Sequence, residues 1–224
     1  MKTLVKVFVL LITTVLTAQS AIEKTVGEFN ELKVYDLIQV QLVKSNENKV
    51  VISGTNKDNV VVNNKNGILK IKMNIESSFS GDDTKVILYY TALDTIDVNE
   101  GAKVFSDDVI KQYEITLKAQ EGGIITLPIF TDYLNIKSVT GGNIEVSGTT
   151  KSQTISIVTG GIYNAKNLQT EKTDVAIKAG GEAYVKATKQ MDINIRAGGD
   201  VYVYGKPNTV NENKALGGRI KYVD

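Results

Sequence analysis

Cysteine, histidine and tryptophan are absent from the 224 residues, and proline occurs only twice. No disulfide can staple the fold, no imidazole or thiolate can hold zinc, and no Ser–His or Cys–His nucleophile can form. The absence of tryptophan removes the widest aromatic platform for a sugar ring. An excess of either charge is missing too: 26 basic side chains stand against 25 acidic ones. That balance argues against nucleic acid or an anionic membrane surface as the main partner. No ten-residue stretch carries a 3.6-residue apolar period, which excludes βαβ units.

The first residues read as an export leader. Lys2 and Lys6 flank the start of an apolar run from Val7 to Leu16, followed by the small residues Ala18, Ser20 and Ala21. This is a charged region, a short apolar region and a cleavage zone, and the apolar run is too short to span a bilayer. A signal peptide over residues 1–20 is expected, cut after residue 18 or 20, with no cysteine there for lipid attachment. The mature chain is then expected to be periplasmic, on the outer surface or secreted.

What is abundant is glycine in pairs. Gly122-Gly123, Gly141-Gly142, Gly160-Gly161, Gly180-Gly181, Gly198-Gly199 and Gly217-Gly218 lie 19, 19, 20, 18 and 19 residues apart. A fixed short period means one structural unit repeated and stacked. Aligned on the pairs, the second residues after each are Ile125, Ile144, Tyr163, Ala183, Val201 and Ile220. The fourth are Leu127, Val146, Ala165, Val185, Val203 and Tyr222. Polar residues fill most of the column between them, the period-two alternation of a strand with one face inside.

A second strand leads into each pair, with Leu117, Ile136, Ile155, Val175 and Ile193 five residues before it. Polar stretches such as Ser147–Lys151 read as turns between the strands. One such coil cannot bury its own apolar face, whereas stacked coils can, so the pattern predicts an all-β parallel β-helix with Gly-Gly corners. Glycine suits the corner because it reaches positive φ and lets successive corners stack without side chains. Bulky Tyr163 is expected beside small Ala183.

Gly101, in Glu100-Gly101-Ala102, marks a weaker corner upstream. Downstream, Asn211–Lys214 replaces the apolar columns in a polar terminal coil. Regular coils are expected over 98–224. Residues 27–97 are β-rich but out of this register, as wider, irregular coils or as a hairpin sheet capping the solenoid, with candidate strands Val34–Val43, Val50–Ser53, Val60–Val62, Ile68–Met73 and Lys85–Tyr90. Asn66-Gly67 reads as a tight hairpin turn, and Ser77–Thr84 as a loop.

Several ordered strings carry a family resemblance: Phe29–Val34, Gly67–Ile71, Leu93–Val98, the glycine corners and Tyr204-Gly205-Lys206-Pro207. Over about residues 27–224 the chain resembles the putative auto-transporter adhesin, head GIN domain family of Bacteroidetes-type bacteria. The resemblance implies an exported right-handed β-helix in a single domain, and carries over no catalytic residues.

Chemistry must come from the outward columns. Tyr184 and Tyr202 are expected to stack on neighbouring coils, as a sugar- or protein-binding surface or as plain cross-strand packing. Glu182, Asp200 and Arg219 follow three successive corners, as a saccharide contact or a surface charge ladder. Glu100, Glu121, Asp82, Asp83, Asp107 and Asp108 could supply calcium with oxygen ligands, though solvated acids are the favoured reading. Lys178 and Arg196 fall one coil apart, as a proton-abstracting base of a polysaccharide lyase or hydrolase would, but with no acidic cluster in view. The preferred expectation is a non-enzymatic, cofactor-free adhesin binding a glycan or protein surface. The alternatives are that lyase or hydrolase and a self-assembling envelope protein.

Overall fold

The computed structural model describes residues 21–223, so the expected leader lies outside the described residues. Twenty strands and two short 3-10 turns, Lys57–Asn59 and Ile75–Ser77, make up the regular structure, with no α-helix among the described residues. The regular coils are stacked parallel strands, a β-solenoid of about seven turns some 19 residues apart.

Strand pairing reproduces the glycine period. Ile124 pairs with Asn143, Leu168 with Gly148, Gln190 with Lys172 and Thr209 with Gln190, all in parallel. Each coil runs along a post-corner face, crosses a short middle side such as Ile129-Phe130 paired with Ile110-Lys111, and returns along a pre-corner face. The polar stretch 147–151, expected to be a turn, stays within the continuous strand Asn143–Val158. It bends there without leaving the ladder, because Gly148 takes φ +108 and Thr150 is buried.

The apolar columns are the core. Ile125, Ile144, Tyr163, Ala183 and Val201 are buried, as are Leu117, Ile136, Ile155, Val175 and Ile193. Tyr163 pairs directly with Ala183, the expected exchange of large for small. Its hydroxyl donates to Gln153 Oε1 at 2.7 Å, Gln153 Nε2 donates to Thr173 Oγ1 at 2.9 Å, and Thr173 Oγ1 donates to the Lys186 carbonyl at 2.8 Å. Burial pushes the Tyr163 phenol well up, so it stays a donor. A fully bonded chain of this kind is tolerated inside a core because no polar atom is stranded.

The corners divide the work of glycine. At Glu121-Gly122 and Thr140-Gly141 both central residues have positive φ, and the turns close through Gly123 N to Gln120 O at 2.8 Å and Gly142 N to Val139 O at 3.0 Å. This is the pattern of a type I′ turn. At these corners the second glycine needs no unusual φ, whereas Gly181, Gly199 and Gly218 take φ of 118, 110 and 101. The second glycine is required because a Cβ on Gly142 would lie 2.1 Å from the Ala119 carbonyl oxygen of the coil before.

The N-terminal half is β-rich and irregular, as expected, but its strand bounds and stacking differ. Val34–Val43 is not one strand: it breaks at Asp36 (φ 58) and Leu37 (φ 64) into Glu31–Val34 and Gln39–Lys44. Nor is it out of register, since Glu31–Val34 pairs with Thr95–Val98, and Gln39 with Lys103. It is a coil whose corner lacks glycine. The Asp36 carboxylate accepts from Met73 N at 3.0 Å and Phe79 N at 3.2 Å, which holds the strained corner in place.

The next coil in sequence stacks outside this one. Ile68–Met73 pairs with Glu31–Val34, and Thr84–Tyr90 with Gln39–Lys44. Antiparallel strands close that end: Val60–Lys65 joins through the Asn66-Gly67 hairpin, Lys49–Gly54 lies on Thr84–Tyr90, and Ile22–Thr25 lies on Lys49–Gly54. At the other end Glu212 and Lys214 pair with Ile193 and Ile195, and the Tyr222 hydroxyl donates to Glu212 Oε1 at 2.6 Å. The terminal coil is polar, as the sequence suggests, which blunts an open sheet edge.

The two glycine roles separate by mutation. Gly142→Ala should cost about 3 kcal/mol or more, since backbone must move, whereas Gly141→Ala, with open space around it, should cost only about 1–2 kcal/mol of positive-φ strain. Conversely Thr159→Asn should stabilise by roughly 0.5–1 kcal/mol, because a β-branched residue sits there at φ 54. Denaturant midpoints of the three variants check this ordering.

Candidate functional site

Parallel register brings the expected surface residues together. Tyr184 pairs with Tyr202 and Tyr202 with Lys221, while Glu182, Asp200 and Arg219 share the column two residues earlier. The tyrosine rings stack with centroids 4.5 Å apart and planes 3° from parallel. Lys221 Nζ lies 4.8 Å from the Tyr202 centroid, and Asn164 is the rung partner on the other flank of Tyr184. The rings therefore present mainly edges and hydroxyls to solvent. Tyr184 donates to Glu182 Oε2 at 2.6 Å, and this bond to a carboxylate pushes its phenol up.

Asp200 is buried at its corner and held by a two-point contact, Arg219 Nε to Oδ1 at 2.8 Å and Nη2 to Oδ2 at 2.5 Å. The guanidinium holds the Asp200 carboxyl below its usual range. An open hollow of about 340 Å³ lies over these corners, lined by Gly180, Gly199, Ile162, Glu182, Asp200 and Arg219.

A second aromatic surface was not anticipated. Tyr113 and Tyr133 meet edge to face at 5.2 Å, and remain 66% and 46% exposed. Phe130, three residues before Tyr133, is 58% exposed, and Val109 is exposed on the rung before. The backbone amides of Asp132 and Tyr133 both donate to the Tyr113 carbonyl, which locks the two coils at this bend. A side-chain hydrogen bond to Tyr133 pushes the Tyr113 phenol up.

The same bend carries a charge ladder along the following coils. Lys151 bonds Asp132 and Lys189 bonds Glu171, each at 2.7 Å, while Thr131, Thr150 and Thr170 lie buried beneath. The signal was present in the glycine-aligned repeat as Thr131-Asp132, Thr150-Lys151, Thr170-Glu171 and Thr188-Lys189. It marks a corner, although the segment reads as a variable turn.

The remaining expected residues do not converge. Lys178 and Arg196 are exposed on successive rungs of the pre-corner face. Glu100 and Glu121 sit on neighbouring corners, where burial, then Asp36 and Glu121, push the Glu100 carboxyl up. Asp107 accepts from Gln41 Nε2 at 2.7 Å, and Asp82 and Asp83 lie in the loop before Thr84. Among the described residues no three acids gather in a way that could hold a metal ion.

Residues 28–207 match the family described as "Putative auto-transporter adhesin, head GIN domain". The chain belongs to this family. The solenoid of this GIN-domain chain is similar to a putative adhesin from Bacteroides fragilis, with a TM-score of 0.82 and 18% identity over 91% of this chain and 96% of that one. A putative lipid binding protein from Parabacteroides distasonis superposes with a TM-score of 0.67 at 19% identity, over 92% and 96% of the two chains. A putative adhesin from Parabacteroides merdae does so with 0.66 at 17% identity, over 92% and 96%. At these identities the likeness shows the GIN-domain fold. No curated protein is significantly similar to the chain.

The corner pair of this GIN-domain solenoid has a pH signature. A carboxyl depressed in the folded state stabilises above the unfolded value near ~3.9 and loses that contribution as pH falls through the depressed value. Arg219 is 68% exposed, so solvent screens the pair. Asp200→Asn should therefore cost only about 1 kcal/mol at pH 7, with the difference closing as pH falls below about 3.9. Chemical denaturation across that pH range reads the effect, and a pH-independent difference would refute the assignment.

Proposed function

We propose that this chain is an exported, non-enzymatic surface-binding module of the adhesin kind, engaging a glycan or protein surface through its aromatic edge. The observation that carries this reading is the exposure of Tyr113, Phe130 and Tyr133 together at one bend of the solenoid. These rings take no part in the core. Aromatic side chains left half in water supply large contact area and, in tyrosine, a polar handle for a sugar ring or a protein partner. The Tyr184–Tyr202 stack contributes ring edges and hydroxyls in this reading, since its ring faces are engaged along the ladder.

Membership of the adhesin-type family supports export and binding, as does the leader-like start of the sequence. The family description and the names of the neighbours concern adhesion and lipid binding and name no reaction. The chain has no histidine or cysteine to serve as a nucleophile or its base.

The test is an array of glycans and matrix proteins probed with the purified protein. Saturable binding should fall about tenfold or more in a Tyr113→Ala/Tyr133→Ala double variant, the loss of one buried aromatic contact. Tyr184→Ala/Tyr202→Ala should retain most of it. Binding to no array member, or equal loss in both doubles, would overturn the reading.

A further inference from the structure

We propose that the pre-corner face binds a linear anionic polysaccharide laid along the solenoid axis. The inference goes beyond the aromatic edge and stands on different side chains. Parallel register aligns equivalent outward residues at roughly 4.8 Å per rung. In one outward column the order is Lys70, Lys33, Asp97, Lys118 and Lys137, each the rung partner of the next. In the column nearer the corner, Lys72 stands at the N-terminal end, and Lys178 and Arg196 stand toward the C-terminal end, beyond the uncharged rung of Ser156 and Val158. Seven cations thus share two adjacent columns with one carboxylate, over about 34 Å.

That carboxylate is already satisfied. Asp97 is 6% exposed, lies 3.5 Å from Lys33 Nζ, and accepts from Asn99 Nδ2 and Gln120 Nε2, both at 3.1 Å. Lys33 is further engaged by Glu31 at 3.0 Å. The other six cations make no ion pair among the described residues. Beside Lys118 and Lys137 the next column offers Thr116, Asn135 and Thr154, neutral hydrogen-bonding groups; its acids are Glu31, already engaged by Lys33, and Asp174 and Asp192 farther along. The chain as a whole is nearly neutral, so the positive face is a segregation of charge.

The form of the face selects the ligand. The cations run along the axis in two adjacent columns, so they suit one extended strand whose charges repeat every monomer or two. Six of the seven are lysines, compact point charges suited to carboxylate or sulfate. The columns themselves carry no exposed large apolar side chain apart from Val61 beside Lys72, and the exposed Ile75 and Phe79 lie with Lys70 and Lys72 at the capped end, away from Lys118 and Lys137.

Binding of labelled polygalacturonate and of heparin, measured by fluorescence anisotropy at low and high salt, tests the proposal. The first probe reports uronate carboxylates, and the second adds sulfate. At least one should bind at low salt and weaken steeply as salt rises. Lys118→Glu/Lys137→Glu should cut that affinity about tenfold or more and flatten the salt dependence. The charge-matched control Lys166→Glu/Lys206→Glu, away from the columns, should change it little, and thermal melts of both variants confirm folding. Tyr113→Ala/Tyr133→Ala should keep polyanion binding, so failure of the aromatic reading leaves this one standing. No binding of either polymer, equal loss in both charge variants, or binding confined to a single-stranded oligonucleotide or anionic vesicles would overturn it.

Discussion

The structure depends on how closely one coil's backbone passes the next at the corners. A Cβ on Gly123 would sit 2.2 Å from the Val98 carbonyl oxygen, and one on Gly142 2.1 Å from that of Ala119. At that separation the corner permits only hydrogen, and the rungs on either side can hold their hydrogen bonds without a gap. Register follows from this contact, and with it which side chains become neighbours. The large apolar columns then meet at ladder spacing and fill the interior. The partners of Tyr163 show the tolerance of that interior: a tyrosine fits because Ala183 lies next to it and Gln153 receives its hydroxyl.

Inside and outside obey different rules in such a fold. Inward columns are apolar or hydrogen-bonded, the buried Thr84 hydroxyl aside, so the core repeats with little variation. Outward columns bear no such constraint, and equal positions on successive coils become ladders of whatever the sequence supplies. Here they form a tyrosine stack, an alternating salt-bridge ladder at the Thr131–Thr170 bend and two adjacent columns of cations. Each is a linear array with the spacing of the sheet, which favours ligands that are themselves linear and repetitive.

The glycine pairs made the regular coils legible, because only glycine meets both demands of the corner and nothing else recurs so evenly. The Asp36-Leu37 corner was not legible. Its conformation is imposed by hydrogen bonds from Met73 and Phe79, some forty residues away. The tyrosine ladder could be read from spacing alone, but not that its ring faces would be engaged along the stack. Tyr113, Phe130 and Tyr133 carry no signal in the sequence because they lie between the two apolar columns, where the chain bends without leaving the ladder. The basic row needs the fold: Lys70 and Lys33 share a column with Lys118 only because the early coils stack out of sequence order.

That order has a consequence for how the chain assembles. Glu31–Val34 gains its two parallel neighbours only from Ile68–Met73 and Thr95–Val98. No coil can therefore be completed and left behind as the polypeptide emerges from its N-terminus. The first stable nucleus must gather three coils at once, across contacts distant in sequence, which makes its formation the slow event. Once it closes, the antiparallel strands seal one end, and every later coil can add only in one direction. Thr209–Leu216, with charge where the core should continue, ends that growth.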